Sequence, residues 1–229
     1  MPFFFYDSSY MLFVLPALLF AMYAQSTVNS TFARFLRVRA RSGLTGAEAA
    51  RRLLDEAGLD QVRIERVNRR LGDHYDPRAK VLRLSPEVYD NPSLASLGVA
   101  AHETGHAIQH DVGYIPLSVR NTIVPVAQIG SQAAFPLFLF GLFFNLPGLL
   151  DLGILLFGAA VLFQIVTLPV EFNASSRAIA LLESGGIISG AEVGPTRQVL
   201  SAAALTYVAA TAVAVGQLLR LLMLRGRRD

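Results

Sequence analysis

Two histidines stand four residues apart, with a glutamate directly after the first, in the stretch His102-Glu103-Thr104-Gly105-His106. On an α-helix, residues at that spacing share a face, so two imidazoles can grip one zinc ion. Glu103 would project beside that ion, where a carboxylate can take a proton from a water molecule. The flanks Val99-Ala100-Ala101 and Ala107-Ile108 are uncharged, as suits a helix buried beneath a cleft. The bare pattern recurs by chance in unrelated proteins, and the neutral flanks raise its weight.

A catalytic zinc takes three protein ligands and keeps one position open. The chain has no cysteine, which excludes disulfides and thiolate sites and leaves His and carboxylates as ligands. His110 fails on geometry. If the helix continues, it lies about 12 Å along the axis from His102 and roughly 80° round from it. A third histidine ten residues after the first is excluded too, because that position holds Val112. Among the carboxylates, Glu171 leads. It follows an apolar run directly, in Leu168-Pro169-Val170-Glu171-Phe172-Asn173-Ala174-Ser175-Ser176-Arg177. Its competing role is that of an interfacial carboxylate paired with Arg177. Glu183 and Glu192 fall where a solvated loop or helix end is expected. Ser175, four residues past Glu171, can face Glu171, His102 or His106, and Asn173 and Arg177 follow on the same helix. His74, Arg177 and Tyr207 are open candidates for an oxyanion donor.

The elements that must carry these residues are unusual for a soluble domain. Of the 229 residues, 53% are hydrophobic and only 16% charged, against about 25% in ordinary globular proteins. Four apolar segments reach membrane length: residues 9–28, 122–146, 148–170 and 202–224. The first lacks small residues in cleavage-site order and reads as an anchor. The second and third, joined by Asn145-Leu146-Pro147-Gly148, form a tight hairpin over 119–170. The fourth is rich in small residues that allow close helix packing. Asp151 and Arg220 are expected near membrane interfaces.

Arg34, Arg37, Arg39 and Arg41 crowd behind the first span, while only Asp7 among charged residues precedes it. Basic residues favour the cytoplasmic side, which places the catalytic region 29–118 and a ligand-bearing helix over 171–200 in the cytoplasm. Arg225, Arg227 and Arg228 follow the fourth span, on the outside if residues 201–224 cross fully. Arginines that flank apolar segments speak for membrane orientation and against nucleic acid.

Within 29–118, Thr45 with Glu48 makes a capping box, Ala49, Leu53 and Leu54 form a helical stripe, and Gly58 ends the helix. Residues 62–67 alternate like a strand and residues 81–84 more weakly, with turn-rich sequence at 72–77, so a hairpin or small sheet is expected. Asn91 reads as the N-cap and Pro92 as the first residue of a helix that runs to about His110. An exposed sheet edge beside the motif would let an extended peptide bind by strand addition.

Four separated strings now support a resemblance. Gly72-Asp73-His74-Tyr75-Asp76-Pro77, Val81-Leu82-Arg83-Leu84-Ser85-Pro86, Ala101-His102-Glu103-Thr104-Gly105-His106-Ala107-Ile108-Gln109 and Val170-Glu171-Phe172 are similar to those of the YugP-like family of bacterial membrane zinc metallopeptidases. The similarity runs over nearly the whole chain. The family is broadly similar to the M48 group of membrane gluzincins. The resemblance implies a mainly α membrane protein with about four transmembrane helices and a small α+β zincin-like catalytic domain built around the HExxH helix. It implies one Zn2+ per chain on His102, His106 and Glu171, with Glu103 as general base. The expected partners are a peptide or protein substrate, membrane-derived in the simplest case, and the lipid bilayer. The expected location is the bacterial inner membrane, with the site facing the cytoplasm. Ser175 stands where the M48 group typically has Asp, and Asn173 where the YugP-like set often has an acidic residue. A second reading is a membrane adaptor or quality-control accessory protein with a structural or vestigial zinc site.

Overall fold

The computed structural model describes residues 8–69 and 72–226. Asp7, Arg227 and Arg228, which entered the charge reading, lie outside the described residues. The fold is mainly helical, with one small sheet, and divides into two compact units. One unit holds the described residues of Met1–Gln25, Ser118–Pro169 and Thr206–Asp229, and the other holds Ser26–Leu117 and Val170–Leu205.

The first unit is made of segments of four long helices. They belong to α1 (Leu15–Leu36, entered through a π-helical turn at Tyr10–Val14), α5 (Ile115–Phe144), α6 (Pro147–Ser184) and α7 (Gly190–Gly226). For α1 this takes in the turn, and all four helices are long and apolar enough to cross a membrane. Large apolar side chains point outward: Ile129, Phe143, Phe144 and Leu155 are each more than 60% exposed. Water would penalise that surface and lipid would not. Inside the unit, Phe138, Leu150 and Leu221 form a small buried cluster. Arg225 Nε meets Asp151 Oδ1 at 2.8 Å, which joins the late part of α7 to the early part of α6.

The second unit positions the candidate chemistry. Helix α2 (Gly46–Glu56) starts at the expected capping box: Thr45 Oγ1 accepts from the Glu48 amide, and Glu48 Oε2 accepts from the Thr45 amide at 2.8 Å. It ends where Gly58 turns left-handed at φ +71°. Three strands follow: β1 (Arg63–Arg66), β2 (His74–Asp76) and β3 (Val81–Leu84), in the order β1-β3-β2. β1 runs parallel to β3 with Arg63 opposite Val81, and β2 runs antiparallel to it with Tyr75 opposite Leu82. The alternating runs thus become β1 and β3, though they do not pair as a hairpin. The hairpin partner of β3 is β2, inside the stretch that reads as turn in the sequence. Asp76 Oδ1 accepts from the amides of Arg78 and Ala79, and Lys80 sits at φ 49°, so the reversal tightens after Asp76 and leaves His74–Asp76 extended.

After a short helix α3 (Pro86–Tyr89) comes α4 (Leu94–Asp111), which carries the histidine motif. Its N-cap is Ser93, whose hydroxyl accepts from the Ser96 amide, and not the expected Asn91. The reason is local pairing. Pro92 C=O accepts from Ala40, and Leu94 N–H donates to Val38 C=O, so the chain stays extended through Ser93. Helix α4 lies in two layers of core. Leu54, Leu82, Ala100 and Ala107 pack in one, and Leu53, Leu97, Ala101, Leu182 and Leu200 in the other.

The segment 171–200 differs from the single helix expected there. Helix α6 continues without a break to Ser184 despite Pro169, and residues 190–200 open α7. Hydropathy falls at Glu171, but helical hydrogen bonding does not follow hydropathy. Pro169 removes one amide donor and ends nothing.

Candidate metal centre

Helices α4 and α6 approach closely at one glycine. A Cβ on Gly105 would stand 2.9 Å from the Ala174 carbonyl oxygen, so a side chain in the motif's fourth place would force the helices apart. That contact brings Glu171 and Ser175 onto the histidines. Glu171 Oε2 lies 3.2 Å from His102 Nε2 and 3.6 Å from His106 Nε2. One ligand atom from each of the three residues falls within 4.8 Å of the others. The two rings meet edge to face with centroids 4.7 Å apart.

The donor set fits zinc. A tetrahedral ion with bonds near 2.0–2.1 Å separates its ligand atoms by about 3.3 Å, close to the two Nε2–Oε2 distances. Two imidazole nitrogens and one carboxylate oxygen match zinc's borderline preference. Glu171 is 2% exposed, and a buried carboxylate requires a positive partner. The Nδ1 atoms point the other way, that of His102 to Ser175 Oγ at 3.1 Å and that of His106 to Gln109 Oε1 at 2.9 Å.

His106 titrates above the usual imidazole range. Burial holds it down, but the Glu171 carboxylate 3.6 Å from its Nε2 and the charge of Glu103 outweigh burial, and the Gln109 bond adds to them.

Glu103, at 9% exposure, is fixed from the sheet: its Oε2 accepts from the Tyr75 backbone amide at 2.9 Å. Tyr75 lies at the centre of β2, an edge strand. Its hydroxyl is 3.0 Å from His110 Nδ1, so His110 belongs to the end of α4 and lies outside the ligand group. Nearby, burial raises the Asp73 carboxyl above its ordinary range against the lowering effect of the Ser85 amide and hydroxyl, and the Glu103 charge raises it further.

The structure therefore brings together His102, His106, Glu171 and Ser175, with Glu103 one helical position from His102. Asn173 and Arg177 stand one step away: Asn173 Oδ1 accepts from Gln109 Nε2 at 2.9 Å and from Arg177 Nε at 2.8 Å. Glu183 is exposed, and Glu192 accepts from the amides of Arg41 and Ser189, so neither joins the group. His74 is exposed on β2 with Nδ1 2.8 Å from Gly72 C=O, and Tyr207 belongs to the first unit. Sequence reasoning missed two participants. Gln109 shares the His106 face at a spacing of three, which was the available signal. The Tyr75 amide had none, because it contributes through the backbone.

Among the described residues, four membrane-length helices together with a partly buried His-His-Glu group define a helical membrane protein equipped to hold a metal ion. Comparison with known proteins is consistent with that class. The family described as "Putative neutral zinc metallopeptidase" matches residues 10–226, and the chain belongs to this family. It is 49% identical over 224 residues to the "Putative membrane protease YugP" of Bacillus subtilis (strain 168), covering 96% of this chain and 100% of that protein. No solved structure matches the chain.

Proposed function

We propose that the protein is a membrane-embedded zinc metalloendopeptidase of the HExxH gluzincin type, with its small α+β unit acting as a zincin-like catalytic domain. His102, His106 and Glu171 hold one zinc ion, and Glu103 is the general base. The observation that carries this reading is the convergence of His102 Nε2 and His106 Nε2 on Glu171 Oε2 at 3.2 and 3.6 Å, one residue from a carboxylate fixed by the sheet. When bound, the ion supplies Lewis acidity, acidifying a water and polarising a peptide carbonyl.

The chain's own residues supply the rest. Tyr75 N–H holds Glu103 Oε2, which leaves Oε1 to take the proton of the attacking water. Hydroxide adds to the scissile carbonyl carbon. Glu103 then returns the proton to the amide nitrogen as the C–N bond breaks, giving a carboxylate and an amine. Ser175 holds the His102 ring in place. The Tyr75 amide, which faces away from β3, is committed to Glu103 and is not open to an added strand.

Three protein donors favour catalysis over a structural site, which closes zinc with four; among the described residues, no fourth joins the group. Arg34, Arg37, Arg39 and Arg41 after the first apolar segment support a site on the cytoplasmic side of a bacterial inner membrane.

Zinc content and peptidase activity of the purified full chain and its Glu103→Ala variant test the mechanism. Zinc should persist in the variant while hydrolysis falls by at least about 100-fold. Full activity in Glu103→Ala would discard the mechanism. Because the chain has no cysteine, Ser42→Cys gives a clean topology reporter. Labelling of intact cells by an impermeant thiol reagent would overturn the cytoplasmic placement.

A further inference from the structure

We propose that Gln109, oriented by Asn173 and Arg177, fixes His106 as the Nδ1–H tautomer and so keeps its Nε2 lone pair directed at the metal position. The inference deepens the zinc-site reading and rests on it for its purpose, though not for its geometry. A guanidinium has donors and no acceptor, so Arg177 Nε donates to Asn173, and the Asn173 atom at 2.8 Å must be its carbonyl oxygen. That oxygen also faces the Gln109 amide at 2.9 Å, and oxygen cannot donate, so Gln109 presents its NH2 group there. The same NH2 group donates to Val170 C=O at 2.9 Å. Flipping the Gln109 amide would set its oxygen against two other oxygens at hydrogen-bond distance, inside a fully buried site.

Gln109 is left with one outlet toward His106, its carbonyl Oε1 at 2.9 Å from Nδ1. A carbonyl oxygen only accepts, so Nδ1 carries the hydrogen. Neutral imidazole has one N–H, and Nε2 is then the free lone pair. His102 differs. Its Nδ1 partner is the Ser175 hydroxyl at 3.1 Å, which either donates or accepts and imposes no tautomer. The two ligand histidines are held by different rules, one permissive and one fixed. Asn173 acts here through its oxygen alone.

With four histidines in the chain, 15N-histidine labelling of the full chain in detergent micelles resolves the question. Spectra are taken without zinc on the high-pH plateau of a titration from about pH 7 to about pH 10, where the His106 ring has become neutral. The expected wild-type result is His106 with protonated Nδ1 and bare Nε2. Gln109→Leu should introduce the Nε2–H form at His106, leave the His102 signals in place, and raise the zinc Kd about 10- to 100-fold. Asn173→Leu should move both readouts the same way by less. Asn173→Asp, which keeps the accepting oxygen, should retain the wild-type tautomer and Kd, a rescue that mere packing would not give. If Gln109→Leu does not fold, the Asn173 pair decides. An Nε2–H His106 in the wild type, an unchanged tautomer and Kd in the leucine variants, or failure of Asn173→Asp to rescue would each overturn the proposal. Wild-type protein that binds no zinc yet shows the Nδ1–H form at His106 rejects the metal site and upholds the tautomer assignment.

Discussion

The two units bring helices together by different means. In the apolar unit, α5 and α6 meet through glycines: a Cβ on Gly130 would stand 2.7 Å from Leu156 C=O, and one on Gly153 2.8 Å from Ala134 C=O. The Arg225–Asp151 pair joins helix ends there. In the other unit, α4 and α6 also approach through a glycine, Gly105. There the contact is overlaid with His102–Ser175, His102–Glu171 and Gln109–Asn173 bonds. In lipid, unsatisfied polar groups are costly and small residues let backbones approach. At a reactive site, closeness alone is insufficient, since ligand atoms must be held to within about 0.5 Å. Polar links supply that second level of constraint.

The largest expected effect cuts the polar layer alone. Glu171→Ala should abolish measurable zinc in the purified protein by metal analysis, because it removes one of three donors and the only anion among them. Retention of stoichiometric zinc would show that the ligands lie elsewhere. Next comes a matched pair of glycine substitutions. Gly105→Ala should lower stability by about 1–3 kcal/mol and also weaken zinc binding, as the helices part. Gly153→Ala should cost a similar amount in thermal unfolding with the zinc Kd unchanged. Equal zinc Kd values for the two variants would erase the contrast drawn between the units.

A pH experiment sharpens the same comparison. With His106 raised above its unfolded-state value, the zinc-free site is stabilised fully below that value and loses this contribution as pH rises through the folded one. Protons and zinc compete for the same imidazole, so zinc affinity moves the opposite way. The gap in Tm between zinc-loaded and zinc-free protein should therefore widen from about pH 6 to about pH 8. A constant gap would contradict it. The smallest effect lies away from both contacts. Thr45→Ala should cost about 1 kcal/mol in denaturant unfolding through loss of the α2 cap, with zinc binding untouched.

Much of this was legible in the residues, for identifiable reasons. Spacing placed His102 and His106 on one face, and the apolar run placed Glu171 on a helix. The Thr45–Glu48 box was legible because a cap is a local interaction. What escaped depended on distant pairing. Ser93 caps α4 because residues 38–40 pair with 92–94, and nothing within the Asn91-Pro92-Ser93 string reveals that choice. β2 hid among turn formers because three residues between Asp73 and Pro77 give too short an alternation to register. Helix α6 outran its apolar stretch because the sequence reports the solvent of each residue more clearly than the continuity of the backbone.

The bond from the Tyr75 amide to Glu103 has a bearing on how the chain tolerates change over generations. The anchor of the candidate base is main chain, and nineteen of the twenty residues encoded at position 75 would supply it. Drift at that codon can tune the phenol and its contact with His110 while the base stays held. Only proline, or a one-residue slip of β2 that turns its amides to the opposite side, removes the anchor. The candidate base is thus insured against most substitutions at position 75 and exposed to insertions and deletions in the hairpin.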